Sequence, residues 1–363
     1  TTPPREARWR GGGPGRRHRM NAPFVAPSRA RSPWQHLYGA LHAIRWRWYA
    51  QRARRLPRPV VSVGNLHWGG SGKTPLVAAI AAHLRDRGLF PAILSRGYRS
   101  QGRGVRLVSV GEGPLLGPLV AGDEPVLLAG ELPGVAVVVS PERYEGGRHA
   151  LERLDPAPDV FVLDDGFSHL KLFRDLDLLA FPVEDPYGAG RLFPGGRLRE
   201  PLQAVARADA VILTGATGSA GEDFARTLRG FDFSGPGFAS ALRTVAPRLE
   251  SGQPLPPACR VLVVVAVARP ERFVAAVRDQ GLEVAGVLTF PDHHDYPDQS
   301  LSKIETTWRE ARAEAVLTTA KDRVKLLGRL ETPLAELPIR AEPEPALWRW
   351  LDKQLEQQIA ALA

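Results

Sequence analysis

Residues Gly64-Asn65-Leu66-His67-Trp68-Gly69-Gly70-Ser71-Gly72-Lys73-Thr74 follow the apolar run Val60-Val61-Ser62-Val63 and lead into the helix-like stretch Leu76 to Leu84. A strand feeding a glycine-rich turn that opens a helix can surround a polyphosphate with successive backbone N–H groups. In such a loop Gly69, Gly70, Ser71 and Gly72 form the cradle. Lys73 supplies a mobile positive charge, and Thr74 offers a hydroxyl ligand to Mg²⁺. The usual spacing places a glycine five residues before Gly72, where this chain has His67.

A phosphate loop requires a metal-site carboxylate, and the run Asp159-Val160-Phe161-Val162-Leu163-Asp164-Asp165-Gly166-Phe167 supplies one at the end of an apolar strand. In open parallel sheets ligands bind beyond the carboxyl ends of the strands, so Asp164 or Asp165 should hold Mg²⁺ directly or through water. Two adjacent acids repel each other unless a cation lies near. Charged clusters follow other apolar runs: Ser95-Arg96-Gly97-Tyr98, Gly122-Asp123-Glu124-Pro125, and Arg143 shortly after Val139. Taken singly, each reads as solvated loop charge. The long loop Gly190 to Pro201 carries Arg191, Arg197 and Arg199 and suits a phosphorylated substrate. Pro291-Asp292-His293-His294-Asp295 has no further histidine nearby, which favours a hydrogen-bonding or general-base role over a metal site.

The elements that must position these residues alternate along the chain. Pro57 and Pro59 end an N-terminal helix. Ala92 to Leu94, Val135 to Val139, Val160 to Leu163, Leu176 to Phe181 and Ala210 to Leu213 read as buried strands between helical stretches. That pattern predicts an α/β fold of P-loop NTPase type, a parallel sheet with helices on both faces. Residues 215 to 258, rich in Gly, Ser and Pro, read as a transition. A second series then begins, with strands at Val261 to Val267, Val284 to Phe290 and Val316 to Thr319 and helices near Glu271 to Gln280 and Ser300 to Ala313. The expected organisation is a disordered basic segment 1–33, a surface helix 34–56, a P-loop domain 57–250 and a smaller α/β domain 257–350.

The net charge of +9 is not spread over this body. Residues 1–58 hold 14 of the 48 Lys and Arg and one of the 39 acids, so the remainder carries −4. That distribution argues for attachment to an anionic surface and against a nucleic-acid groove, whose salt-sensitive binding would have to vanish on removal of 1–58. Cys259 is the single cysteine, which excludes an intramolecular disulfide and a multi-cysteine zinc cluster and makes a reducing, cytosol-facing location the default. Met20 is the single methionine, and the Arg/Gly/Pro-rich stretch before it suggests a natural start there. No run reaches the roughly 18 apolar residues of a membrane span, and no secretory signal is evident. From Trp34 to Leu56, however, a helix places Trp34, Leu37, Tyr38, Leu41, Ile44 and Trp48 on one stripe, interrupted by Arg45 and followed by Arg52, Arg54 and Arg55. Such a stripe fits a lipid headgroup region or the body of the protein equally.

Taken in order, Gly-Gly-Ser-Gly-Lys-Thr-Pro, Ser-Arg-Gly-Tyr, Gly-Asp-Glu-Pro, Asp-Asp-Gly-Phe, Leu-Arg-Glu-Pro, Phe-Pro-Asp-His-His and Thr-Thr-Ala-Lys-Asp resemble the tetraacyldisaccharide 4′-kinase family, from about Trp34 to about Trp350. The resemblance implies ATP- and Mg²⁺-dependent phosphorylation of the 4′-hydroxyl of a tetraacylated glucosamine disaccharide 1-phosphate. It also implies a monotopic protein, here expected as a monomer, on the cytoplasmic face of the inner membrane. By resemblance Lys73 and Thr74 bind β/γ-phosphates and Mg²⁺, Asp165 with Asp164 provides the metal carboxylates, and Tyr98 lies near the nucleotide or acceptor. Asp123 resembles the base for the sugar hydroxyl, with His293 as its partner. Arg96, Arg143, His169, Arg199 and Glu200 are the matching substrate contacts. The chain departs from the family pattern at His67, at Ser168, where Gln is usual, and at Ala266-Val267, where Gly-Ile is usual.

Besides the nucleic-acid binder, one other class competes with this reading. A P-loop ATPase or GTPase switch or metallochaperone would hydrolyse nucleotide without a lipid acceptor, but it leaves the arginine loop 191–199 without a role. A guanine-specific site would want Asn-Lys-x-Asp, to which Thr319-Ala320-Lys321-Asp322 is only a distant approach.

Overall fold

A computed structural model describes residues 41, 44–49, 51–267 and 269–362. The segment 1–33 and most of the expected surface helix before residue 44 lie outside the described residues. Eight strands run first: β1 (Val60–Gly64), β2 (Pro91–Ser95), β3 (Arg106–Val110), β4 (Ala136–Val139), β5 (Val160–Asp164), β6 (Leu176–Pro182), β7 (Ala210–Thr214) and β8 (Gly237–Thr244). Then come β9 (Arg248–Leu249), β10 (Arg260–Val265), β11 (Glu283–Thr289), β12 (Ala315–Thr319) and β13 (Leu334–Leu337), and last β14 (Ile339–Pro343). The helices are α1 (Lys73–Asp86), α2 (Pro118–Ala121), α3 (Asp123–Glu131), α4 (Arg143–Arg153), α5 (Ala220–Leu228), α6 (Pro270–Asp279), α7 (Asp298–Glu310), α8 (Ala320–Leu326) and α9 (Pro345–Leu362).

The first sheet has the order β14-β8-β7-β6-β1-β5-β2-β4-β3, parallel except at its two edges, where β3 and β14 run antiparallel. Every residue of β1, β2, β4, β5, β6 and β7 is buried. This explains their continuous apolar runs: both faces carry helices, so neither face needs polar residues. Helix α1 closes one face by burying Leu76, Val77, Ile80, Ala81 and Leu84. The second sheet, β11-β10-β12-β13-β9, is parallel except for β9.

Two expectations change. The stretch 215–258 is not only a transition, because it forms α5 and the eight-residue strand β8. The domain limits 250 and 257–350 also move. Strand β9 already belongs to the second sheet, and the chain returns to the first at β14, which pairs with β8 from Ile339 opposite Thr244 to Pro343 opposite Ser240. Helix α9 follows and lays Leu347, Leu351 and Leu355 on the first core, with Trp348 stacked on His83 of α1 at 4.4 Å and Asp352 bonded to the same ring at 2.8 Å. The smaller sheet is therefore an insertion whose two linkers run side by side, joined by the bond from Val245 N to the Pro338 carbonyl at 2.9 Å. Sequence pattern hid the return, because β14 is an edge strand with only Ala341 buried.

The N-terminal helix also ends sooner than residue 56. Residues 44–49 are helical, whereas Arg54 makes an isolated parallel β-bridge to Leu172.

Candidate active site

Beyond the carboxyl end of β1 the loop is held open by its neighbours. Gly64 has no room for a side chain: a Cβ there would lie 2.4 Å from Cβ of Phe167. Gly72 adopts φ 72° to launch α1, a left-handed turn that glycine makes at little cost. Asn65 Nδ2 donates to Ser71 Oγ at 2.7 Å, Thr214 Oγ1 donates to the Ser71 carbonyl at 2.8 Å, and Trp68 N–H reaches the Arg197 carbonyl at 2.7 Å. The first N–H groups of α1 thus remain for an anion, and Lys73 and Thr74 stand in its first turn. His67 is packed inside, edge-on to Phe181 at 5.7 Å, where burial lowers its pKa to about 4.

Strand β5 pairs with β1 so that Asp164 lies opposite Val63, which brings the acidic pair beside the loop. Asp164 is buried and accepts a bond from Ser95 Oγ at 3.1 Å. Burial, with the charges of Glu124 and Asp165, pushes its carboxyl upward. Asp165 takes φ 54°, which turns its carboxylate toward Arg199 Nη1 at 2.8 Å and Nη2 at 2.5 Å and toward Lys73 Nζ at 3.4 Å. Burial favours the neutral acid, but the Arg199 and Lys73 charges outweigh it and hold Asp165 well below the carboxylate range. Among the described residues no three His, Cys, Asp or Glu side chains gather as a metal-ligand set. What the site offers is hard oxygen donors, the Thr74 hydroxyl and the acidic pair, one of whose carboxyls is buried. That donor set fits Mg²⁺, which completes its shell with phosphate oxygens and water.

Asp165 and Arg199 also line a cavity of about 230 Å³ with Arg96, Arg143 and His169, and with Arg45 and Tyr49 of the N-terminal helix. Arg143 is 3% exposed, donates from Nη1 only to the Pro141 carbonyl at 3.3 Å, and has no partner at Nε. Burial lowers its pKa to about 10. Burial and the Arg143 charge likewise lower His169 to about 4. A cationic, partly desolvated cavity of this kind suits a phosphorylated ligand. Glu200 is placed differently: its buried carboxylate bonds Ser168 Oγ and Arg207, beside the cavity wall. The serine in place of the usual glutamine is thus a donor to Glu200.

A second group of residues forms where the two sheets meet. Asp123 opens α3 and receives Lys325 Nζ at 2.7 Å and His293 Nδ1 at 3.3 Å. Burial raises its carboxyl, but the bonds from His293 and Lys325 and the lysine charges outweigh this and lower it. Tyr98 places its ring edge-on to His293 at 5.6 Å. Glu124, next on α3, is near enough to act on Asp164, so this helix links the two acidic centres. His294 instead bonds Ser300 Oγ at 2.8 Å and stacks on Phe290. In the sequence Lys321 stands out only as part of Thr-Thr-Ala-Lys-Asp, and Lys325 carries no motif. Their spacing of four on one helix by itself reads as solvated charge.

A phosphate loop at the carboxyl end of a central parallel strand, acids on the neighbouring strand and an Asp–His pair closed by an inserted domain define a P-loop kinase fold. Residues 28–356 match the tetraacyldisaccharide-1-P 4′-kinase family, and the chain belongs to it. It is 40% identical over 315 residues to the tetraacyldisaccharide 4′-kinase of Syntrophus aciditrophicus, covering 81% of this chain and 83% of that one. Against the enzyme of that name from Geobacter sulfurreducens it is 43% identical over 304 residues, with the same two coverages. The crystal structure of LpxK from Aquifex aeolicus in complex with ATP superposes with a TM-score of 0.71 at 33% identity, covering 89% of this chain and 98% of that one.

Proposed function

We propose that this protein transfers the γ-phosphoryl group of ATP to the 4′-hydroxyl of a tetraacylated glucosamine disaccharide 1-phosphate, as a monomer bound peripherally to the cytoplasmic face of the inner membrane. Family membership supports the reaction. The observation that carries the site assignment is the cavity itself, whose lining includes both Asp165 and Arg199 beside the phosphate loop and Arg45 and Tyr49 of the N-terminal helix. Such a lining suits a phosphorylated acceptor presented from a lipid surface to the phosphate loop. Both centres are completed within one chain, which supports a monomeric working unit.

In this reading Gly69 to Gly72 hold the β- and γ-phosphates by backbone N–H groups, and Lys73 follows the charge as it develops. Thr74 with Asp164 and Asp165 would hold Mg²⁺, which neutralises phosphate charge. Asp123 accepts the hydroxyl proton while the sugar oxygen bonds to phosphorus and the bond to the ADP oxygen breaks. Arg96, Arg143, His169 and Arg199 orient the phosphorylated acceptor. The inserted domain brings His293 to Asp123 and excludes water, which would otherwise compete for the phosphoryl group.

The exposed stripe Leu41, Ile44 and Trp48 supports the surface location. Among the described residues no helix is long and apolar enough to cross a membrane.

Labelled γ-phosphate from ATP, offered with Mg²⁺ with and without the tetraacyl disaccharide 1-phosphate in detergent, tests the reaction. Transfer to lipid is expected, and lipid-independent hydrolysis alone would reject it. Asp123→Asn should lower turnover by roughly 10²-fold or more with ATP affinity little changed. Unchanged turnover removes Asp123 as the base.

A further inference from the structure

Both side-chain donors to Asp123 reach the same oxygen. Lys325 Nζ stands 2.7 Å and His293 Nδ1 3.3 Å from Oδ2, while Oδ1 has no protein partner among the described residues. Lys325 is 5% exposed, and its other bond goes to the His294 carbonyl at 3.0 Å. A buried ammonium with these two bonds is committed to the protein and cannot swing out to bind phosphate. One turn earlier on α8, Lys321 Nζ lies 3.1 Å from His293 Nε2 and 3.6 Å from Asp292. An ammonium can only donate, so Nε2 must accept, and the proton of the neutral ring is left on Nδ1, facing Asp123.

We propose that Lys325 and Lys321 form a two-point clamp that selects the reactive oxygen of the base. Lys325 occupies Oδ2, Lys321 fixes His293 as the Nδ1–H tautomer that also donates to Oδ2, and Oδ1 is the oxygen that receives the acceptor proton. Both lysines are positioning residues, delivered by the inserted domain. The base is therefore fully set only when α8 and the His293 loop are docked on α3, and a docked domain is also what shields the site from water. This inference rests on the assignment of Asp123 as the base.

The groups facing Asp123 are His293 and Tyr296 from the loop after β11, Lys321 and Lys325 from α8, and, against the His293 ring, Tyr98 from the loop after β2 and the Asp292 carboxylate, 4.0 Å from Nε2. Of these Lys325 is the one cation in direct contact with the carboxylate. Its removal must then shift the protonation of Asp123 upward, since an opposite charge at this range favours the ionised acid.

The test is turnover against pH for Lys325→Met, Lys325→Arg and Lys321→Met, together with ¹⁵N spectra of the histidine rings, with His293→Gln used to assign the signal. Lys325→Met should lower kcat about tenfold or more and move its acidic limb up by about one pH unit, with KM for ATP changed less than about twofold. Lys325→Arg keeps the charge and should keep the limb. In Lys321→Met, His293 should lose the pure Nδ1–H signature and show a mixture of tautomers. An unmoved limb in folded Lys325→Met, or a loss of activity that follows a lowered melting temperature alone, overturns the clamp. If Lys325→Met does not fold, the His293 spectrum of Lys321→Met decides by itself, and an unchanged tautomer rejects the proposal. The Asp123→Asn control separates the two readings. Full turnover there removes the base, whereas loss there with no effect of the lysine changes removes only the clamp.

Discussion

Arg199 joins the two halves of the phosphate site through one side chain. Its Nη1 and Nη2 hold Asp165 at 2.8 and 2.5 Å, while Nε and Nη2 hold the Asn65 carbonyl at 3.1 and 2.9 Å. The planar fork therefore fixes the distance between the phosphate loop and the acidic turn. Lysine would keep the charge but cannot make both contacts at once. Arg199→Lys should lower kcat by roughly 10²-fold, since small displacements at a reacting centre carry penalties of this size. Activity within about threefold of the parent would show that charge alone suffices.

In the proposed reaction Lys73 is the charge that moves with the phosphoryl group, and Asp165 at 3.4 Å holds it in reach. Lys73→Ala should cut lipid-dependent transfer by about 10²- to 10³-fold, the loss typical of one preorganised donor at a developing charge. Full activity in this variant would reject the loop as the catalytic cradle.

These two residues illustrate what was legible in the sequence. The cradle is one contiguous run whose flanks name their own strand and helix, and buried parallel strands announce themselves as unbroken apolar runs. Asp123 and His293 could be assigned roles by resemblance, and the structure brings them together at 3.3 Å. Lys325 could not be found this way, since its meaning comes from a contact between separate sheets and a lysine in a short helix reads as surface. The return of β14 and α9 was lost for a related reason: an edge strand buries one residue and gives no period. For Glu200, motif order gives its position in the chain, whereas its bonds to Ser168 and Arg207 come only from the fold.

Glu200 is held by Ser168 and Arg207, with side-chain exposures of 4% for Glu200 and 13% for Arg207. Removing one member of a buried pair leaves the other charge uncompensated, at about 3 kcal/mol or more. Glu200→Ala should therefore lower the urea midpoint strongly, with KM for the lipid changed little in the folded fraction. A large KM change at unaltered stability would restore Glu200 as a direct substrate contact.

His67 makes acid sensitivity testable. Burial lowers its folded pKa to about 4 from 6.5. Between those values the unfolded chain binds more protons than the native one, so stability falls as pH drops through that window. By pH 5 this one ring should account for about 2 kcal/mol of lost stability. His67→Phe keeps an aromatic ring against Phe181 and cannot titrate, so its urea midpoint should fall less between pH 7 and pH 5 than the parent's. Equal falls would mean that His67 is accessible to protons in the native state.

The N-terminal helix decides between a lipid surface and the protein body. Leu41, Ile44 and Trp48 are 55%, 65% and 51% exposed, spaced three and four apart on one face, and the Arg52 guanidinium lies 4.6 Å from the Trp48 ring. A stripe packed on the body would be buried by it, whereas these three side chains are exposed and arginines follow them, as the proposed attachment to a lipid surface requires. Each large apolar side chain transferred from water contributes about 1.5–3 kcal/mol when fully buried. Ile44→Glu, which also adds a charge of the same sign as anionic lipid, should weaken sedimentation with anionic phospholipid vesicles by at least about tenfold. Turnover on detergent-dispersed acceptor should change little, because Ile44 does not line the cavity. If vesicle binding is unaffected and the melting temperature falls instead, the stripe is a packing surface and the membrane reading fails.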